Sequence, residues 1–195
     1  MPIAWIADPS ARDAAALIRA DPTVVRPLVV KRVRAPVAVF LDLLDDLPRA
    51  ARHVERLGAG RYRIEPAGDG GEVRVDDGAG ARARVVRLLG RPTARVYRAS
   101  GGLKLPAFPE IRGSGLIALR VEAEPVEAGE GPATLVGGQI HFRLESALLH
   151  AVARPVARIL RAVIDAKVNH LVDAAVAVCE GVAREAEGVR GGPAV

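Results

Sequence analysis

Sulfur and aromatic rings are scarce in this sequence, and each shortage excludes something. Cys179 is the only cysteine, so no intramolecular disulfide can form, and a disulfide-stapled secreted scaffold is excluded. Aromatic residues make up 3% of the chain against 50% hydrophobic residues, so the core must be built from Val, Leu, Ile and Ala. No run approaches the roughly 18 uncharged apolar residues of a membrane span. The opening Met1-Pro2-Ile3-Ala4-Trp5-Ile6-Ala7-Asp8 lacks the basic lead and the apolar length of a signal peptide. These absences point to the cytoplasm. Asn and Gln occur once each, at Asn169 and Gln139. Their depletion together with Cys and Met, amid abundant charge, is a heat-adaptation pattern and suggests a thermophilic source.

Chemistry-bearing motifs are missing too. There is no Gly-x-Ser-x-Gly elbow between a strand and a helix, and Gly113-Ser114-Gly115 reads as a turn that starts a strand. His53, His141, His150 and His170 share no ligand spacing, so no metal site is expected. The glycines at 68–71 and 100–102 precede no helix, so they are hairpin turns rather than phosphate cradles. No cofactor is implied.

What is present is charge and periodicity. Only Lys31, Lys104 and Lys167 among the 28 basic residues are lysines, and the net charge is +5. Arginines 61, 63, 74, 82, 84, 95 and 98 could share the uncovered face of a sheet, where nucleic acid would want phosphate contacts. Glu65, Glu72 and Asp76 lie among them at cross-strand reach, and no aromatic interleaves with them as a base-stacking platform needs. An ion-pair lattice is the expected outcome, with no nucleic acid bound.

Asp8-Pro9-Ser10 predicts a helix over 8–20, with Asp8 as N-cap. Val24 to Val33 reads as a strand, confined by Pro27 to an edge or a bulge. Val37, Phe40, Leu41, Leu44 and Leu47 fall at helical spacing, Pro48 breaks the run, and Gly58 caps the piece from Ala51 to Leu57. From Gly60 the period becomes two. Tyr62 and Ile64, then Val73 and Val75, alternate with polar residues. Further strands are expected near 80–89, 93–99 and 115–123, and one more carries Val136, Ile140, Phe142 and Leu144 on one face. Such alternation predicts an antiparallel sheet with one covered face. Pro155 should open a long helix ending near Gly181, with Leu149, Val156, Leu160, Val163, Leu171, Ala174 and Val178 on one stripe.

The order is one strand, two short helices, about six further antiparallel strands and a long terminal helix. In Val24–Val33, Pro36–Leu57, the meander from Arg61 to Leu144 and the helix after Pro155, the chain resembles the START-like superfamily, which includes polyketide cyclase-like proteins. The resemblance implies an α+β helix-grip fold, a curved sheet of about seven strands around the C-terminal helix. It divides the chain into an N-terminal helical extension over 1–22, a ligand-binding domain over 23–187 and a flexible tail over 188–195. It also implies a hydrophobic small molecule or lipid as partner, in a cavity lined by Phe40, Val121, Ile140, Phe142, Leu160 and Val163. A cyclase or dehydratase on the same fold is the alternative, with Tyr97, Lys167 or His170 as acid or base. A third reading is binding of nucleic acid or an acidic protein through the arginine face.

Two features stand out within that frame. Lys167 sits in the apolar stripe of the last helix, so it either snorkels or is ion-paired, or else meets a ligand carboxylate or phosphate across the cavity. The segment 100–111 places Leu103, Leu105, Phe108 and Ile111 among Gly and Pro. It is either a strand end on the core or a lid hinged at Gly101 and Gly102, one that could touch membrane transiently.

Overall fold

The computed structural model describes residues 3–68, 71–104, 110–125, 131–145 and 153–190, with backbone alone for 153–161 and 187–190. Its elements are α1 (Pro9–Ala20), β1 (Val24–Val33), α2 (Val37–Asp45), α3 (Leu47–Arg56), β2 (Arg63–Pro66), β3 (Val73–Asp76), β4 (Ala81–Arg91), β5 (Ala94–Leu103), β6 (Ile111–Ala123), β7 (Thr134–Leu144) and α4 (Ala153–Arg190). The strands form one antiparallel sheet in the order β1-β7-β6-β5-β4-β3-β2. Two short helices follow the first strand and the long helix closes the chain, which is the helix-grip architecture.

Local chemistry sets the boundaries. The Asp8 carboxylate accepts the Ser10 N–H at 2.9 Å and caps α1. Asp46 ends α2 and caps α3 through the Arg49 N–H at 3.0 Å, with Pro48 in the first turn. Gly58 leaves α3 at φ +65°. The Ala59 N–H donates to the Val54 carbonyl and the Gly58 N–H to that of Glu55, the paired bonds of a Schellman ending. Pro27 lies on an edge strand, where a missing N–H is tolerated. Pro155 falls in the first turn of α4, where its missing N–H breaks no helical bond.

The sheet is covered on both faces, not one. Odd-numbered residues of β6 face α2, α3 and α4, and Val121 joins Val33, Phe40, Leu43, Val54, Ala174 and Val178 in the largest buried cluster. Even-numbered residues face the other way, where α1 lies. There Ile6, Ala15 and Ile18 pack on Val96 and Leu116, and the Arg91 guanidinium sits 4.4 Å from the Trp5 ring centroid. The first helix therefore supplies the cover of the convex face.

Three glycines expected to hinge a lid, to form a turn or to mark the end of the last helix do something else. Gly101 lies inside β5, directly opposite Gly113 of β6, and a Cβ on it would come within 2.0 Å of the Arg82 carbonyl oxygen. It permits close strand approach rather than a hinge. Gly113 is likewise within a paired strand. Gly181 is buried inside α4, where a Cβ would lie 2.9 Å from Leu57 Cδ1, so helix-to-loop packing needs it and the helix runs on to Arg190.

Candidate functional site

The last helix is held along both flanks. On the β1 side its contacts advance in step with the strand. Arg26 Nε lies 3.1 Å from Asp165, Arg26 Nη2 donates to Asn169 Oδ1 at 3.2 Å, and Lys31 lies 3.5 Å from Asp173. Further on, the Arg34 N–H donates to Glu180 at 3.1 Å. On the opposite flank Lys167 donates to the Asp77 carboxylate and, at 3.3 Å, to the Ala79 carbonyl. His170 stacks on Tyr62 with ring centroids 5.9 Å apart, and Arg56 pairs with Glu185 at 2.8 Å.

Asp77 is built to stay charged. Burial works against its ionised form, but the hydrogen bond from Lys167 and those from the Ala81 and Ala79 N–H groups more than offset this, so its carboxyl titrates below the ordinary range. The turn geometry supplies the last two, because Asp77 Oδ1 accepts both N–H groups at 2.8 Å.

Between the flanks the helix meets the sheet at two levels. Ile164 packs with Leu103, Ile111, Phe142 and Leu144 at one end, and Ala174 and Val178 join the large cluster at the other. Between those levels the apolar side chains are less completely covered. Leu171 shares the inward stripe with Ile164 and Val178, yet it is 47% exposed. On the same face of the sheet Ile117 and Ile140, paired across β6 and β7, are only half-buried, as is Leu119. The floor is also thin in side chains. Gly115 and Gly138 stand beside these residues, and Ala99 lies opposite Gly115.

The residues singled out from sequence divide accordingly. Ile140 and Phe142 are floor residues, half-buried, and Val163 is half-buried on the helix. Phe40 and Val121 are 4% and 0% exposed and belong to the core. Tyr97 is buried, donates to the Leu44 carbonyl at 2.9 Å, and has its phenol pushed up to about 12 by burial. Lys167 is an ion-paired tether and His170 is exposed beside Tyr62. The side chain of Leu160, and Leu105 and Phe108 entirely, lie outside the described residues. Arg26, Leu28, Lys31 and Asn169 were missed. The signal available was the edge position of β1, since Pro27 marks a strand whose flank is free to meet the helix.

Arg95 corrects the expected arginine face. It lies on the concave side and is 6% exposed. Its Nε and Nη2 grip the two Asp45 oxygens at 2.7 and 2.8 Å, while Arg87 adds a contact at 2.5 Å. The alternation of β5 places Arg95 with Tyr97 toward α2, whereas Arg98 points away. On the convex face Arg82 pairs with Asp76 at 2.9 Å, Arg84 with Glu72 at 3.4 Å and Arg63 with Glu65 at 3.9 Å, and Arg74 stands opposite Glu65 in register. Among the described residues no three His, Cys, Asp or Glu side chains gather to hold a metal ion, and no helix is long and apolar enough to cross a membrane.

No family model matches this sequence, and no curated protein sequence does. Solved structures resemble it in fold. The di-domain ARO/CYC protein BexL has a TM-score of 0.49 at 18% identity, over 89% of this chain and 55% of its own. A protein from Rhizobium leguminosarum has a TM-score of 0.48 at 17% identity, over 81% of this chain and 99% of its own. A truncated norcoclaurine synthase from Thalictrum flavum has 0.46 at 14%, over 80% and 94%.

Proposed function

We propose that this protein holds an apolar small molecule between the concave face of the sheet and the middle of α4. The observation that carries the reading is Leu171, a large apolar side chain on the inward stripe that is 47% exposed. Burying a Leu is worth about 1.5–3 kcal/mol, and a helix with no second purpose would be packed down onto Ile117 and Ile140 to collect it. The helix is instead tied at its edges, by Lys167 to Asp77 on one flank and by Asn169 to Arg26 on the other, and the sheet residues Ile117, Leu119 and Ile140 between them are apolar and half-buried. A cavity of this character suits a hydrophobic ligand.

The test is binding of a fluorescent fatty-acid probe, with native mass spectrometry of the purified protein. A saturable one-to-one adduct, lost when Leu171→Trp fills the gap without lowering the melting temperature, is the expected result. A protein that binds no probe and carries no apolar adduct overturns the reading.

A further inference from the structure

A ligand held beneath α4 needs a way in, and the two flanks of the helix differ. The hairpin flank is shut, because Asp77 is 14% exposed in its pair with Lys167 and Tyr62 stacks on His170 beside it. The β1 flank is open. A cavity of about 260 Å3 lies there, walled by Arg26, Leu28 and Lys31 of β1 and by Asn169, Val172 and Asp173 of α4. Arg26 and Leu28 stand opposite Ile140 and Gly138 in register, so this groove adjoins the floor beneath Leu171.

We infer that the groove is the portal of the cavity, and that Arg26 receives there the carboxylate of an amphiphilic ligand whose apolar chain runs under Leu171. This rests on the ligand-holding function proposed above. Arg26 is suited to the part because its present partner serves it poorly. Its Nε is 3.1 Å from Asp165 Oδ1, but neither atom has a hydrogen-bond partner, so the two are close without being aligned. The Arg26 side chain is 27% exposed, and its Nη2 is steadied by Asn169. A carboxylate offers it two parallel hydrogen bonds, the geometry a guanidinium fork matches best. Asp165, 33% exposed, can then turn to water. Lys31 adds a second positive charge at the lip, where its pairing with Asp173 is loose and solvated. Lys167, by contrast, is occupied by Asp77 and the Ala79 carbonyl. The walls next to these groups, Leu28 and Val172, lead the apolar chain inward.

Calorimetric titration with dodecanoate and with dodecanol, which differ only in the head, tests this. The wild-type protein should bind dodecanoate about tenfold or more tighter, the preference one charge-assisted bidentate contact supplies. Arg26→Gln should erase that preference, bringing dodecanoate affinity down to that of dodecanol measured on the same variant. Val172→Trp, which plugs the groove, should slow uptake of both ligands. Arg120→Gln, on the convex face, should change nothing. Equal wild-type affinity for acid and alcohol, or an acid preference that survives Arg26→Gln, overturns the headgroup site while leaving the ligand-holding function standing. Unaltered uptake in Val172→Trp overturns the portal, and failure to bind either molecule overturns both readings.

Discussion

Leu171 and Val178 lie two helical turns apart on one stripe of α4, yet the first is 47% exposed and the second 2%. The same helix face thus does two jobs. Around Val178 it closes a core with α2, α3 and the sheet, and around Leu171, in the function proposed above, it roofs the ligand. Substitution should separate the two. Val178→Ala removes two buried methylenes' worth of contact and leaves a void, costing about 2–3 kcal/mol in denaturant unfolding. Leu171→Ala should cost about 1 kcal/mol or less but weaken probe binding severalfold. Equal stability losses would mean that Leu171 is packed in solution.

The Lys167–Asp77 tether sets a direction for pH dependence. The folded-state pKa of Asp77 is depressed, so its contribution is present above the unfolded carboxyl value near 4 and is lost as pH falls through the lower folded value. Asp77→Asn keeps an oxygen for the Ala79 and Ala81 N–H groups and should cost only about 1 kcal/mol at pH 7. It should also flatten the acid limb of the stability curve below about pH 4. Lys167→Met leaves a mostly buried carboxylate without its cation and should cost more, about 2 kcal/mol. The reverse order would show that the tether is solvated.

Because α1 covers the convex face, its apolar residues should govern stability without touching the site. Ile18 is 4% exposed, and Ile18→Ala should cost about 2–4 kcal/mol while probe affinity stays within about twofold of wild type. Loss of affinity in step with stability would place the ligand on the other side of the sheet.

How far this could be read ahead depended on the range of the interaction concerned. The sequence by itself determined the elements. Alternation of period two produced the strands, and Asp8, Asp46 and Gly58 bounded helices through contacts within a few residues, with Pro48 in the first turn of α3. Even the helix-grip order followed from that list, since a long amphipathic helix and a half-apolar sheet must cover one another. Tertiary structure alone decided which surfaces meet. Alternation says that Arg95 and Arg98 face opposite ways, but not which of them finds Asp45. The cap at Asp8 announced α1 as a helix, but not that it would pack on Val96 and Leu116. An apolar stripe announces burial at every turn, so Leu171 and Val178 look alike in sequence. Only the way α4 is set against the sheet and α3 leaves one of them exposed and the other buried.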